Sequence, residues 1–172
     1  MKINSRELIL FGILGGIISV SQIALSFLPN IETVTLFIIL FSLIYEKKAI
    51  YIVATFVIVM GLIYGFGVWW FGYIILWPTL SILTCKIKKL INGKYLALSL
   101  YSGAFGLLFG LFYSIPYGIF GGINAGIAYW ISGIPFDIVH GVGNYFIMLF
   151  LGEKLFNILN KLNTVYLDIN KD

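Results

Sequence analysis

Apolar residues dominate the chain in long, unbroken runs separated by short clusters of charged residues, prolines and glycines. A helix that crosses a hydrocarbon core of about 30 Å needs roughly 20 apolar residues. The runs are continuous rather than alternating, which favours membrane helices over a transmembrane β-barrel. We therefore predict an all-α integral membrane protein, a bundle of six transmembrane helices. The predicted helices, numbered 1 to 6, are Leu8–Leu28, Ile31–Tyr45, Ala49–Phe66, Trp70–Cys85, Tyr95–Ile115 and Ile134–Leu151.

Composition supports this interpretation. Of 172 residues, 60% are hydrophobic and 10% charged, and the mean hydropathy is +1.02. Soluble domains carry about 25% charged residues, so a soluble globular protein is excluded, and the same composition excludes disorder. The single cysteine, Cys85, excludes an internal disulfide. We predict one membrane domain over residues 1–162 and a polar cytoplasmic tail over 163–172.

The cations predict the orientation. Lysine and arginine in short loops mark the cytoplasmic side of a membrane protein. All eleven fall on one side of the predicted bundle, which places both termini in the cytoplasm. Because these charges already account for the topology, no nucleic-acid partner is expected. They are Lys2, Arg6, Lys47, Lys48, Lys86, Lys88, Lys89, Lys94, Lys154, Lys161 and Lys171.

Two acidic residues, Glu32 and Asp137, lie on the opposite, outer half. A carboxylate in a membrane helix is costly and persists where a cavity or partner supports it. On a helix, Asp137, His140, Gly141 and Asn144 share one face at i, i+3, i+4 and i+7. This face is either a ligand site, or Asp137 caps helix 6 while the other side chains bond to neighbouring helices. Glu32 has the same two interpretations at the start of helix 2.

Aromatic residues are also concentrated in the outer half. They form an interfacial belt or a site that stacks on a flat or cationic ligand. The glycine-rich segment 116–133 is predicted to be the longest outer loop, acting either as a lid or simply as a flexible connection. The candidate stacking residues are Trp69, Trp70, Tyr73, Trp77 and Trp130.

Helix 1 carries two pairs of small residues at a spacing of four, Gly12 with Gly16 and Gly15 with Ser19. Such pairs let two helices approach backbone to backbone. One face packs inside the bundle or binds a different protein, and spacing alone does not distinguish these alternatives.

The segments PNIETVTL at 29–36, GLIYGFG at 61–67 and GIPFDIVHG at 133–141, in a six-helix chain of this size, resemble substrate-binding S components of energy-coupling-factor (ECF) transporters. The resemblance implies a subunit of a prokaryotic plasma membrane that captures a vitamin or related micronutrient from outside. It then associates with a coupling transmembrane protein and two ATPases and topples to release substrate inside. In the family a small-residue surface of helix 1 contacts the coupling protein. Gly12 and Gly16 match the residues of that surface in size.

The chain contains no Walker GxxxxGK[ST] motif, so ATP hydrolysis would be supplied by the partners. It has Lys2 where nickel and cobalt members of the family carry histidine, and one histidine in all, so neither a metal nor a cofactor is expected.

The outer half offers no cation for an anionic substrate. The expected ligand is a cationic or neutral heterocycle: a thiamine-like compound, a hydroxymethylpyrimidine, a pyridoxamine-like base or a queuosine precursor, with cobalamin also open. The predicted substrate-binding residues are Glu32, Trp69, Trp70, Tyr73, Trp77, Trp130, Asp137, His140 and Asn144.

Other functions fit the same residues. Asp137 and His140 are suitable as an acid/base pair in an intramembrane enzyme. Alternatively, the glycine faces hold together other proteins in a non-transporting scaffold subunit. A self-contained secondary transporter is a minor alternative, because the sequence has no evident inverted repeat.

Overall fold

A computed structural model of the chain describes residues 3–168, and side chains through residue 166. The predicted all-α architecture is confirmed, and the described residues contain no strand. A 3₁₀ turn, Glu46–Lys48, joins the second helix to the third. The helices are α1 Ser5–Ala24, α2 Val34–Tyr45, α3 Ala49–Tyr64, α4 Val68–Ile91, α5 Tyr95–Leu107, α6 Phe109–Gly121 and α7 Ile123–Asp168.

Five helical stretches are long and apolar enough to cross a membrane. One of them combines α2 with α3, and another combines α5 with α6. The stretches are Ser5–Ala24, Val34–Tyr64, Val68–Ile91, Tyr95–Gly121 and Ile123–Tyr166.

The core of the bundle forms around α2, in which nearly every residue is buried. A helix that is apolar on all sides is stable only when other helices surround it, and α2 contacts α3, α4 and α7. Outside this core, α1 packs on α3, while α5 and α6 pack along α7. The outward faces carry exposed apolar side chains such as Leu8, Ile13 and Phe150, as expected where the solvent is lipid.

Two ion pairs bring the charged turns together at one end of the bundle. Lys48 Nζ lies 2.5 Å from Glu7 Oε1, joining the start of α3 to the start of α1. Lys88 Nζ lies 2.6 Å from Glu46 Oε1, joining the end of α4 to the turn after α2. The lysine-bearing turn between α2 and α3 therefore lies at the same end of the bundle as the start of α1 and the lysine-rich end of α4.

The predicted outer loop at 116–133 is wrong. The segment itself is helical on both sides of Gly122. Only this residue, with φ of 87°, separates α6 from α7. The segment is rich in isoleucine and aromatic residues, and membrane helices tolerate glycine and proline because neighbouring groups satisfy the freed backbone. Pro116 and Pro135 accordingly lie inside helices.

The predicted helix ends also differ from the structure. Predicted helix 5, Tyr95–Ile115, contains the break between α5 and α6 at Leu108. Predicted helix 6, Ile134–Leu151, is only the middle of α7, because the apolar sequence before it and the polar sequence after it are both helical. The predicted tail begins inside α7, and its residues 169–172 lie outside the described part of the chain.

The glycines of α1 fall on two different faces. Gly15 packs against Thr55 and the Ile52 carbonyl of α3, and the buried Ser19 donates a hydrogen bond to the Gly15 carbonyl at 3.0 Å. Gly12 and Gly16 have open space where a side chain would begin. One of the two predicted pairs thus packs internally, and the other faces outward.

Glycine contacts of another kind join α5 to α7, and they generate a test of the packing. A Cβ atom added to Gly106 would lie 2.8 Å from the Gly141 Cα, and backbone there cannot move away cheaply. Overpacking of this kind costs about 1–3 kcal/mol. We expect Gly106→Ala to lower the free energy of unfolding by that amount, measured by chemical denaturation in detergent.

The matched control is Gly12→Ala, which adds the same methyl group to open space in a helix. Alanine is favoured over glycine in helices by about 0.8–1.0 kcal/mol, so this variant should be neutral or slightly stabilised. Equal stability of the two variants would contradict the close α5–α7 packing.

Candidate functional site

A cavity of about 510 Å³ lies at the end of the bundle opposite the ion pairs. It is bounded by the end of α1 and the start of α4, whereas the ion pairs join the start of α1 and the end of α4. Pockets for small ligands measure about 300–1,000 Å³. Its lining is Gln22, Leu25, Ser26, Leu28, Pro29, Asn30, Ile31, Glu32, Met60, Tyr64, Trp69, Tyr73, Trp77, Phe109, Tyr113 and His140.

A buried polar network forms one side of this cavity. Glu32 is 6% exposed, and its Oε1 lies 3.0 Å from His140 Nε2. Thr35 donates twice to the same carboxylate, from its backbone N–H to Oε2 at 2.9 Å and from its hydroxyl to Oε1 at 2.5 Å. Asn144 Nδ2 donates to the Thr35 hydroxyl oxygen at 3.0 Å. The network ties the start of α2 to α7.

The hydrogen bonds of Glu32 combine its two predicted roles. By accepting from the Thr35 amide, the carboxylate satisfies one of the free N–H groups at the start of α2. The same carboxylate also lines the cavity. Thr35 was not among the predicted site residues. It lies three residues after Glu32, which is the spacing at which a side chain and a helix N-terminus exchange hydrogen bonds.

Two ring nitrogens of the cavity lining have no hydrogen-bond partner among the described residues: His140 Nδ1 and Trp77 Nε1. An ionised carboxylate only accepts, so the Nε2 of His140 carries the proton towards Glu32, and the Nδ1 of a neutral ring is then an acceptor. The indole nitrogen of Trp77 is a donor only. A buried polar group without a partner costs about 1–3 kcal/mol, which a ligand with matching groups recovers.

Aromatic rings form the rest of the lining, with Tyr73 at their centre. Its ring meets Trp69 and Trp77 edge-on, with centroids 5.1 and 5.6 Å away. The Tyr113 hydroxyl donates to the Trp69 carbonyl at 2.6 Å, which fixes α6 against the start of α4. Phe109 packs on His140 with centroids 4.7 Å apart. Flat apolar surface thus surrounds the polar side of the cavity.

Five of the nine predicted site residues line the cavity, and the other four lie outside its lining. Asn144 does not line the cavity but supports it through Thr35. Trp70 donates its indole N–H to the Val57 carbonyl at 2.9 Å and joins α4 to α3, while Trp130 is 39% exposed and also outside the lining. Asp137 likewise lies outside it. The five that line the cavity are Glu32, Trp69, Tyr73, Trp77 and His140.

Asp137 caps a different helix from the one expected. Its Oδ1 accepts a hydrogen bond from the Gly110 N–H at 2.9 Å, at the start of α6. The break at Leu108 frees that N–H, and a carboxylate at a helix N-terminus is also favoured by the helix dipole. Pro135 lies inside α7, so the interpretation that Asp137 caps its own helix is wrong: no helix begins there.

Among the described residues that line the cavity, Glu32 is the one carboxylate, and none is lysine or arginine. Across the described residues, no group of three or more histidine, cysteine or acidic side chains is placed to hold a metal. The chain matches no protein-family model, no curated protein and no solved structure. Chemically, the cavity is suited to a flat molecule with cationic or hydrogen-bonding groups.

The polar network predicts the effect of removing one hydroxyl. Thr35→Val keeps the shape of the side chain but removes a donor from buried Glu32 and leaves Asn144 Nδ2 without its acceptor. We expect a loss of about 1–3 kcal/mol in the free energy of unfolding, measured by chemical denaturation in detergent.

The control is Thr79→Val. The Thr79 hydroxyl donates only to the Ile75 carbonyl of its own helix, at 2.6 Å, so its replacement should change stability much less. Similar losses in both variants would argue against a special role for the network.

Proposed function

We propose that this chain is the substrate-capture subunit of an ATP-driven importer of the ECF type, binding a micronutrient in the 510 Å³ cavity. The observation that carries the proposal is the convergence of Glu32, His140 and an aromatic lining on one space of small-molecule size. Ionisable groups inside a membrane protein are costly to bury and mark substrate or ion sites.

The proposed topology is a six-helix bundle with both termini in the cytoplasm, in which α2 and α3 cross the membrane separately because the turn that joins them lies at the lysine-rich end. The bonds of Lys48 to Glu7 and of Lys88 to Glu46 support it, because they gather the lysine-rich turns at one end. Positive charge marks the cytoplasmic side. The cavity at the other end would then open to the exterior, as capture from outside requires.

The proposed ligand is a cationic or neutral aromatic heterocycle. A buried carboxylate without a neighbouring lysine or arginine favours a ligand that brings a positive charge or N–H donors. The ring faces of Trp69 and Tyr73 suit a flat, electron-poor molecule. The volume favours a thiamine-like compound, a pyrimidine, a pyridoxamine-like base or a queuosine precursor over the larger cobalamin.

The proposed partners are a coupling transmembrane protein and two ATPases in a prokaryotic plasma membrane. The open side of Gly12 and Gly16 on α1 supports a close helix contact there. Gly15 and Ser19 pack internally and leave that contact to the other pair. The chain itself would bind without catalysing a reaction.

A second candidate function is an intramembrane enzyme. The observation that favours it is the Glu32–His140 pair at the cavity, since a carboxylate that orients an imidazole is the usual arrangement of a general base. In this version Glu32 takes the role that the sequence analysis gave to Asp137. Turnover of a bound ligand by the purified chain would favour the enzyme over the capture subunit.

We expect a thermal-shift screen of the detergent-purified chain to identify the ligand among B vitamins, their precursors and queuosine-pathway bases. A ligand at 100 times its dissociation constant stabilises the folded state by about 2.7 kcal/mol. Calorimetry then gives the affinity of each hit. Tight binding of an anion would refute the charge argument, and no shift across the panel would favour a scaffold subunit.

The residues of the cavity predict a pattern of affinities for that ligand. We expect Glu32→Gln and Trp77→Phe each to weaken binding by about tenfold or more, equivalent to ~1.4 kcal/mol. The first removes the negative charge and the second removes the indole N–H that the ligand would meet. Trp130→Phe, outside the lining, should bind normally. Less than about twofold loss in both cavity variants by calorimetry would rule out this site.

A further inference from the structure

A second cavity, of about 430 Å³, lies at the cation-rich end of the bundle, between the α2–α3 turn and α4. It is separate from the outer cavity and shares none of its residues. We propose that it binds the headgroup of an acidic phospholipid from the surrounding membrane. Its lining is Lys47, Ile50, Ser81, Ile82, Cys85 and Lys86.

The charges of the lining are the first support. Two neighbouring lysines, Lys48 and Lys88, are neutralised by Glu7 and Glu46. Lys47 and Lys86 have no such partner within the described chain, and both face the second cavity. They stand on different elements, one on the turn and one on α4, so their charges converge on a space between helices. An anion bound there would lie within reach of both lysine side chains.

The apolar part of the lining indicates a lipid rather than a free anion. Ile50 and Ile82 lie beside the lysines. Ile82 is 49% exposed, on the side of α4 that faces away from the bundle. The Ser81 hydroxyl is already bonded to Ser42, at 2.8 Å between the two oxygens. A phospholipid would place its phosphate between the lysines and the start of its acyl chains along the isoleucines. Inorganic phosphate would gain nothing from that apolar surface.

The location fits the same ligand. Lysine-rich turns face the cytoplasmic leaflet, whose anionic lipids attract basic segments. Basic pockets between membrane helices on that side are suited to acidic headgroups. Lipid binding here rests on the proposed membrane orientation but not on the identity of any ligand in the outer cavity, so it stands even where no micronutrient binds there.

The test compares two double variants that lose the same charge. Lys47→Gln with Lys86→Gln removes both lysines of the cavity. Lys89→Gln with Lys94→Gln removes two exposed lysines outside it. A third variant, Lys47→Arg with Lys86→Arg, keeps the charge. Each protein is reconstituted in phosphatidylcholine bilayers containing phosphatidylglycerol, and the lipid that copurifies is counted by native mass spectrometry.

We expect wild type, the arginine variant and the Lys89/Lys94 variant to retain phosphatidylglycerol in preference to phosphatidylcholine. Lys89 and Lys94 lie outside the cavity, so only the Lys47/Lys86 glutamine variant should lose this preference. Equal retention in the two glutamine variants would overturn the proposal, as would the absence of a preference in wild type.

Cys85 supplies an independent readout, because it lines the second cavity and is the only cysteine in the sequence. A headgroup seated there should slow alkylation of Cys85 by a neutral maleimide in bilayers with phosphatidylglycerol relative to pure phosphatidylcholine. The protection should disappear in the Lys47/Lys86 glutamine variant and persist in the Lys89/Lys94 variant. Equal protection by inorganic phosphate in phosphatidylcholine bilayers would exclude a lipid as the specific ligand.

Discussion

The buried carboxylate of Glu32 is the constraint on which the cavity end of the molecule depends. An isolated charge cannot be buried in an apolar bundle without hydrogen bonds. Thr35 and His140 supply them, from positions three and 108 residues away in the sequence. The start of α2 and the middle of α7 must therefore meet at one register. That register places the imidazole and the carboxylate side by side on the cavity.

A second carboxylate, that of Asp137, fixes the start of α6 against α7. Asp137 lies one helical turn before His140 and holds the N–H freed at the break after Leu108. Because α6 begins at this break, Phe109 reaches the His140 ring and Tyr113 reaches the carbonyl of Trp69. Gly110 permits the contact, since a side chain there would overlap the Asp137 carboxylate. One carboxylate thus lines the cavity, and the other positions its aromatic residues.

Sequence alone predicted the features that depend on composition and missed those that depend on which residues come into contact in the fold. Apolar runs identified the helices, and polar outliers such as Glu32 and His140 identified cavity residues. Thr35 was missed because a membrane threonine usually bonds its own helix, as Thr55 does. The break at Leu108 has no proline or charge to mark it. Glycine density made 116–133 resemble a loop, whereas these glycines let α6 and α7 pack closely on each other, Gly118 against Gly126 and Gly121 against Ala125.

The tryptophans show the same limit in another form. Trp69 and Trp70 are adjacent, yet one lines the cavity and the other donates to the Val57 carbonyl. Successive residues on a helix point about 100° apart, so composition cannot decide which of them faces a ligand. Charge has no such ambiguity, because it acts on the whole bundle. The paired lysines lie at one end of the bundle, and the acidic, aromatic cavity lies at the other. Positive charge is thus concentrated at the end opposite the cavity, and a charge difference of this kind is what sets the orientation of a membrane protein.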